Sequence, residues 1–216
     1  MTFKFSQEVF DLGVRGEYFN ISGMMNRSSS DPQVAEFVQT RLDTTLENID
    51  SVLEGFHSLH HKVSAKADKL IASPEGLRNY VKSHGDIPRI NGIVDVYNAI
   101  SLSTGIAVGA HDLAHVEGSI TLRLTTGEEG FVPLGMTKLV KVPAGEYSYI
   151  DDANDILCRL EVRQVEKTKI VAQTTDAFFI VQGHTGVSAN YISDTARLLS
   201  KACTRIFGGK VTQLYP

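Results

Sequence analysis

Three polar residues lie at helical spacing within an otherwise apolar segment, and they are the first candidates for chemistry. The segment is residues 87–105, IPRINGIVDVYNAISLSTG, and its polar residues are Asn91, Asp95 and Asn98. At an advance of about 100° per residue, they fall in a stripe roughly 60° wide on one helix. Buried amides and carboxylates are costly unless their polar atoms find partners. The stripe is therefore either a structural polar network or the wall of a binding site.

The two interpretations do not suit the three residues equally. As structural residues, Asn91 would cap the helix and Asp95 would pair with Arg89 or a neighbouring backbone group. Asn98 is too far inside the helix to cap it, so it is the strongest binding-site candidate of the three. We keep all three as candidate substrate-binding residues.

Two histidine pairs have the i, i+4 spacing that can hold a metal ion. They are His57 with His61 and His111 with His115. The first pair would need Glu54 as a third ligand, which requires a helix unbroken through Gly55. The second pair has Asp112 between its members, but the sequence identifies no distant third ligand. We therefore predict no metal site, and we expect no cofactor.

His184 is a further candidate because of its position at the end of a strand. The segment DAFFIVQG reads as a buried strand, and His184 follows it where loops often carry function. Imidazole can exchange a proton near neutral pH. His184 is therefore a candidate catalytic group, with a turn histidine as the alternative.

Composition bounds the class of protein. The 216 residues are 42% hydrophobic, enough for a substantial core, and they include no apolar run long enough to span a membrane. The first residues, MTFKFSQEVFDLGVRGEYF, lack the features of a signal peptide, so we expect a cytoplasmic protein without membrane contact. The two cysteines, Cys158 and Cys203, fit neither a disulfide scaffold nor a zinc ribbon, and we expect buried free thiols.

A net charge of −4 does not indicate a nucleic-acid-binding protein. It leaves room for a local basic patch, although scattered cations are more often a solvated surface. The candidates for such a patch are Lys138, Lys141, Arg163, Lys167, Lys169, Arg205 and Lys210.

Hydrophobic periodicity predicts mostly helices in the first half of the chain. One or two strands come first, within the first 25 residues. Asp31 and Pro32 then open a predicted long helix, whose apolar residues recur as far as about Gly55. Ser73 opens a short helix that Gly85 ends, and the segment 87–105 is the last helix of this half. The apolar positions of the long helix are Val34, Phe37, Val38, Leu42, Leu46, Ile49 and Leu53.

From residue 117 the apolar period changes from helical to twofold, which predicts strands. The segment VKVPAGEYSYIDDANDILCRLEVRQ reads as two strands joined through the turn DDAND. Ser188 caps a final helix that ends before Gly208. The prediction is an α/β (α+β) fold in a single domain, residues 1–216, with a largely antiparallel sheet flanked by helices. Residues 1–105 are its helical half, residues 106–187 its strand-rich half, and residues 188–207 its closing helix.

The spacing motifs of common enzymes are missing. There is no Walker phosphate loop, no G-x-S-x-G elbow, no H-E-x-x-H and no dinucleotide-binding glycine pattern. The residues therefore name no reaction by themselves.

Several segments do carry a resemblance. IPRINGIVDVYNAISL resembles the signature helix of the B3/B4 domain, the editing module in the β subunit of bacterial phenylalanyl-tRNA synthetase. VGAHDLAHVEGSITLRLTTGEE, GEYSYIDDANDILCR and TKIVAQTTDAFFIVQG are similar to freestanding B3/B4 proteins. The similarity runs over nearly the whole chain. It implies a B3/B4-like fold with a pocket that hydrolyses the ester of a mischarged tRNA, which in the synthetase is typically tyrosine on the phenylalanine tRNA.

The resemblance also places site residues. The Thr-Asn pair that lines the synthetase pocket falls on Tyr97 and Asn98, so Asn98 would hold the substrate through its amide. Tyr97 is much bulkier than threonine and would narrow or reshape the pocket. The synthetase histidine falls on Gly109, and the pocket glutamate falls on Gln182.

Both titratable groups of the synthetase pocket would then be lost at their own positions. A glutamine can orient a water molecule, but it cannot act as a general base. Hydrolysis would depend on positioning of water by Gln182, on the substrate's own groups, and on His111 or His184 as replacements. These three residues are the catalytic candidates.

Three hypotheses follow. The favoured one is a trans-editing enzyme that binds the tRNA acceptor end and hydrolyses the aminoacyl ester. The second is a module that binds an amino acid or small metabolite without hydrolysis. The third is an interaction protein with a vestigial pocket, marked by exposed apolar residues on its N-terminal helices. The sequence leaves the amino acid, the tRNA and the oligomeric state open.

Overall fold

The structure is a computed structural model that describes residues 1–44 and 49–215. Within these ranges the strands are β1 Phe3–Phe5, β2 Val14–Ser22, β3 Ala107–Asp112, β4 Ile120–Leu124, β5 Tyr147–Asp151, β6 Ile156–Arg159, β7 Arg163–Gln164, β8 Ala177–His184 and β9 Lys210–Tyr215. The helices are α1 Gln7–Leu12, α2 Pro32–Leu42, α3 Ile49–Val63, α4 Ser73–His84, α5 Gly92–Thr104 and α6 Ala189–Phe207.

The strands form two sheets. The five-stranded sheet has the order β1-β4-β5-β6-β7, in which β1 and β4 are parallel and the other neighbours antiparallel. The four-stranded sheet has the order β3-β8-β2-β9 and is antiparallel throughout. This mixed, largely antiparallel architecture with flanking helices confirms the predicted fold class.

Strand β8 of the four-stranded sheet is buried on both faces, and alternation along it and its neighbour β2 explains how. Tyr18 and Phe178 point into a core shared with the five-stranded sheet. Their chain neighbours Phe19 and Phe179 pack on each other in a second core, which α2, α5 and α6 cover. Because both faces are apolar, β8 reads in the sequence as a continuous apolar run.

The ends of the helices follow the predicted capping residues. The Asn91 side chain accepts from Val94 N and caps α5, which Gly105 ends in the left-handed region at φ 70°. Gly85 ends α4 in the same way at φ 80°, and the Ser188 hydroxyl caps α6. The closing helix and the strand pair around DDAND are also confirmed.

The prediction of one long helix from Asp31 to Gly55 is wrong. Helix α2 ends at Leu42, and α3 is a separate helix from Ile49. Beyond Leu42 the side chains compete for local hydrogen bonds, since the Thr44 hydroxyl donates to the Thr40 carbonyl. Leu46, counted in the predicted apolar face, lies outside the described residues.

Candidate functional site

A cavity of about 380 Å³ lies at the edge of the four-stranded sheet formed by β3. Helices α4 and α5, strands β3 and β8, and the segment 158–164 line it. Its volume is within the range of small-molecule sites.

Strand alternation brings Gly109 and His111, two of the predicted residues, to the cavity. Ala107, Gly109 and His111 occupy alternate positions on β3 and all line the cavity. Across the ladder, Gln182 pairs with Ala107 and Ile180 pairs with Gly109. A Cβ added at Gly109 would meet no atom within 4 Å, so this glycine leaves open space beside the cavity.

His111 is a neutral hydrogen-bonding group in this cavity. It is 1% exposed, and its Nδ1 forms a 2.8 Å hydrogen bond with the Thr168 hydroxyl. Burial lowers the pKa of His111 to about 3. No hydrogen bond engages its Nε2 within the described ranges 1–44 and 49–215. His111 is therefore a weak base at neutral pH, but its Nε2 can bind a ligand or a water molecule.

The lowered pKa of His111 predicts an acid-sensitive contribution to stability. The folded pKa lies below the unfolded value of 6.5, so this contribution is present above pH 6.5 and is lost as the pH falls toward 3. Between pH 7 and pH 5 we expect it to remove about 2 kcal/mol from the free energy of unfolding. Urea denaturation at pH 7 and at pH 5 measures this effect. The fall in the free energy of unfolding between the two pH values should be about 2 kcal/mol smaller in His111→Gln than in the wild type.

The control for this prediction is His61→Gln. The side chain of His61 is 59% exposed, so this variant shows what the replacement of a surface histidine does to stability at the two pH values. An unchanged pH dependence in His111→Gln would contradict the assignment of His111 as a buried neutral histidine.

Tyr97 and Asn98 of α5 both line the cavity. Tyr97 is buried, which raises the pKa of its phenol and keeps it protonated. Asn98 is half-buried, and its amide makes no hydrogen bond within the part of the chain that the structure describes. The amide of Asn98 is therefore available to a ligand.

Asn91 and Asp95, the other members of the stripe, lie outside the cavity lining. Asn91 caps α5 and donates from Nδ2 to the Ile170 carbonyl at 3.1 Å. Asp95 accepts from Ile90 N at 2.8 Å and from Arg89 Nε at 2.9 Å. Both follow the structural alternative, so the stripe divides into two structural residues and one that faces the cavity.

His184 does not line the cavity that contains His111 and Gln182. Its Nε2 donates to the Val52 carbonyl at 2.8 Å, and its Nδ1 accepts from Gly186 N at 3.1 Å. Burial lowers the pKa of His184. With both ring nitrogens engaged and the ring packed beneath α3, His184 joins α3 to β8.

A carboxyl group does line the cavity, and it comes from Glu161. The sequence has no carboxylate at position 182, and Glu161 was not identified from it as a cavity residue. Glu161 is 6% exposed, and its Oε2 accepts from Tyr147 Oη and from Gln182 Nε2, both at 2.7 Å. His60 Nε2 of α3 donates to its other oxygen.

The same network fixes the orientation of the Gln182 amide. Tyr149 Oη donates to Gln182 Oε1 at 2.5 Å, and Gln182 Nε2 donates to Glu161. Burial raises the pKa of Tyr147 and Tyr149 well above the ordinary value, so both phenols remain protonated and donate. The cavity thus has a polar end in which hydrogen bonds fix the orientations of Glu161 and Gln182. A lone acidic residue within the apolar run ILCRLEV was the sequence signal for Glu161.

Ion pairs in the described ranges neutralise two of the seven cations that were candidates for a basic patch. Lys167 pairs with Asp155 at 3.0 Å, and Lys169 pairs with Glu166. Arg163 lines the cavity and is exposed.

The predicted histidine pairs do not form metal sites in the described ranges. Helix α3 does run unbroken through Gly55, but His57 pairs with Glu75 at 3.0 Å and His61 with Asp68 at 3.3 Å. No cluster of three histidine, cysteine or acidic side chains with metal-binding geometry occurs among the described residues. Cys203 is buried in the core, Cys158 lines the cavity, and both are free thiols.

Comparison with known families identifies the family of this chain. The sequence profile of the B3/4 domain matches residues 60–210 of the chain. The chain belongs to the B3/4 domain family. The match begins at His60 and includes the cavity residues of α4, α5, β3 and β8.

A solved structure shares the fold of this B3/4 domain. It is an N-terminal fragment of the phenylalanyl-tRNA synthetase β subunit from Pyrococcus horikoshii, with a TM-score of 0.58 and 13% identity. The alignment covers 97% of this chain and 50% of that fragment, so this chain spans about half the length of that relative. Comparison with curated proteins found no match. Among the described residues, no helix has the length and apolarity needed to cross a membrane.

Proposed function

We propose that this B3/4 protein hydrolyses the ester bond of mischarged aminoacyl-tRNA in trans. The observation that carries the proposal is the convergence of Asn98, His111 and Gln182 on one cavity of a size suited to an aminoacyl group. The family relationship supports the same chemistry, because the similar fold is that of a tRNA synthetase fragment.

The side chains suggest how the reaction would proceed. Water attacks the ester carbonyl carbon, the bond between that carbon and the ribose oxygen breaks, and the ribose hydroxyl leaves with a proton. The Asn98 amide would donate to the carbonyl oxygen as negative charge develops there, and His111 Nε2 would hold the attacking water. The oxygens of Glu161 already accept three hydrogen bonds, so its role is to fix Gln182.

The test is deacylation of a panel of mischarged tRNAs by the purified protein. Asn98→Ala should lower kcat/KM about 10- to 100-fold without changing the melting temperature, because its amide has no structural partner in the described part of the protein. Asn91→Ala is the matched control on the same helix. It should lower stability by about 1 kcal/mol through loss of the cap, with the rate per folded molecule retained.

Two outcomes would count against this function. The first is the absence of any deacylation above the uncatalysed rate across the panel. The second is a melting temperature that falls in Asn98→Ala while activity is retained, which would make Asn98 structural.

A second candidate function is a module that binds an amino acid without hydrolysis. The observation that favours it is the lack of a strong free base, because burial lowers the pKa of His111 to about 3 and Glu161 already accepts three hydrogen bonds. Thermal stabilisation by a free amino acid, without deacylation of the corresponding tRNA, would select this function.

The third hypothesis predicted exposed apolar residues on the N-terminal helices. The large apolar side chains that are exposed in the described ranges lie outside α2 and α3. The exposed apolar side chains that a docking role would require are therefore absent from the described residues of α2 and α3.

A further inference from the structure

We propose that the mouth of the cavity binds a nucleotide, with Tyr80 as the stacking surface for its base and Arg163 as the contact for its phosphate. The inference rests on the proposed function and deepens it, because it assigns a place to the terminal nucleotide of the tRNA acceptor end.

Tyr80 is an exposed aromatic side chain at the lip of the cavity. It lies on α4, lines the cavity and is 39% exposed. Among the large apolar side chains that are exposed in residues 1–44 and 49–215, it is the one aromatic. The neighbouring Ile71, near Gly76 of the lining, is also exposed, so the apolar surface continues beyond the cavity. An exposed apolar surface of this kind indicates a site that a ligand or a partner covers.

The ring of Tyr80 is ordered by His84 without being buried. The two rings stack with centroids 4.0 Å apart and an interplanar angle of 12°. His84 Nδ1 donates to the Tyr80 carbonyl at 2.9 Å, which fixes the second ring against the first. A base that stacks on such a pair loses little side-chain freedom, and stacking on aromatic rings tolerates any base.

Arg163 supplies a positive charge at the same cavity. Its Nη2 donates to the Leu134 carbonyl at 3.0 Å, and none of the ion pairs in the described ranges includes it. Lys167 and Lys169, four and six residues further along the chain, are both paired with acids. A guanidinium that retains free N–H groups can bind a phosphate through two hydrogen bonds.

The chemistry of the substrate requires these two features on the outside of the cavity. An aminoacyl group that fills the cavity is joined through its ester to a ribose, so the base and phosphate of that nucleotide must lie at the mouth. Tyr80 and Arg163 are lining residues that are also exposed, which places them where both the aminoacyl end and the nucleotide can be reached.

The test uses the trinucleotide CCA as a probe, because its binding does not depend on which amino acid the cavity accepts. The affinity of CCA for the full chain is measured by NMR titration of the tyrosine ring resonances. We expect an upfield shift of the Tyr80 resonances from stacking. Tyr80→Ala should weaken binding at least tenfold, whereas Tyr80→Phe, which keeps the ring, should bind as the wild type does.

Arg163→Ala should weaken CCA binding several-fold and reduce its dependence on salt. Arg197→Ala is the matched control, since Arg197 is an exposed arginine of α6 in an ion pair with Asp194. It should leave the affinity and its salt dependence unchanged. Thermal unfolding of each variant checks that the fold is retained.

The outcomes separate this inference from the proposed function. If CCA does not bind the wild type, or binds Tyr80→Ala equally well, the nucleotide site is overturned, whatever the deacylation assay shows. If CCA binding depends on Tyr80 but no mischarged tRNA is deacylated, the nucleotide site stands and hydrolysis fails. Deacylation with an unchanged KM in Tyr80→Ala would leave hydrolysis standing and overturn the site.

Discussion

Replacing Glu161 with alanine is expected to lower the free energy of unfolding by about 3–5 kcal/mol. The Glu161 carboxyl group is the common acceptor for His60, Tyr147 and Gln182, and all four side chains are buried. Alanine would leave three buried donors without an acceptor, and each unsatisfied group carries its own desolvation cost. Urea denaturation, with unfolding followed by circular dichroism, measures the change.

Two further variants sharpen this prediction. Glu161→Gln keeps the shape and one carbonyl acceptor, so we expect a smaller loss of about 1–2 kcal/mol. Glu54→Ala is the surface control, an exposed glutamate on α3 whose replacement should change stability by less than about 0.5 kcal/mol. If Glu161→Ala is as stable as Glu54→Ala, the network does not hold the polar end of the cavity together.

The case of Glu161 shows why the site could be predicted only in part. Gly109 and Gln182 were predicted from the resemblance to the B3/B4 domain, and both line the cavity because they lie on paired strands. The partner of Glu161 is His60, 101 positions away in the sequence. No local periodicity indicates a contact between a helix and a loop so far apart, so Glu161 was not among the predicted site residues.

The stripe on α5 illustrates a related limit. Helical spacing placed Asn91, Asp95 and Asn98 on one face, but the neighbours of that face change along the helix. At its first turn the face meets Ile170 and Arg89, which satisfy Asn91 and Asp95. Two turns further along it meets the cavity. Periodicity gives the direction of a side chain, and only tertiary packing decides whether that direction leads to a partner or to a ligand.

The helix termini were predictable because their signals are local. Asn91, Gly105 and Ser188 act through hydrogen bonds or backbone angles within one turn of the residue itself. The break after Leu42 was missed because the apolar period continues in the sequence beyond it. Strand β9, at the edge of the four-stranded sheet, was missed because four of its six residues are exposed. Its sequence therefore lacks the alternation of apolar and polar residues that a half-buried strand shows.

Gly55→Ala is expected to lower the free energy of unfolding by about 3 kcal/mol, at the upper end of overpacking effects. An added Cβ would lie 1.8 Å from Cε1 of His184, far inside van der Waals contact. The ring cannot rotate away without losing its hydrogen bonds to Val52 and Gly186. Alanine is the better helix former, so a loss of stability in mid-helix would come from this contact alone. Chemical denaturation measures the loss.

A control substitution and a double-mutant cycle with His184 test whether the contact with His184 causes the loss of stability in Gly55→Ala. Gly76→Ala, in α4, places its Cβ 4.0 Å from the nearest atom and should stabilise by about 0.5–1 kcal/mol through helix propensity. Adding His184→Ala to Gly55→Ala should recover much of the lost stability, giving a favourable coupling between the two changes. Independent effects of the two changes would refute the contact. A strong coupling, together with normal deacylation by the folded double variant, would assign His184 to packing between α3 and β8 and leave the chemistry to the residues of the cavity.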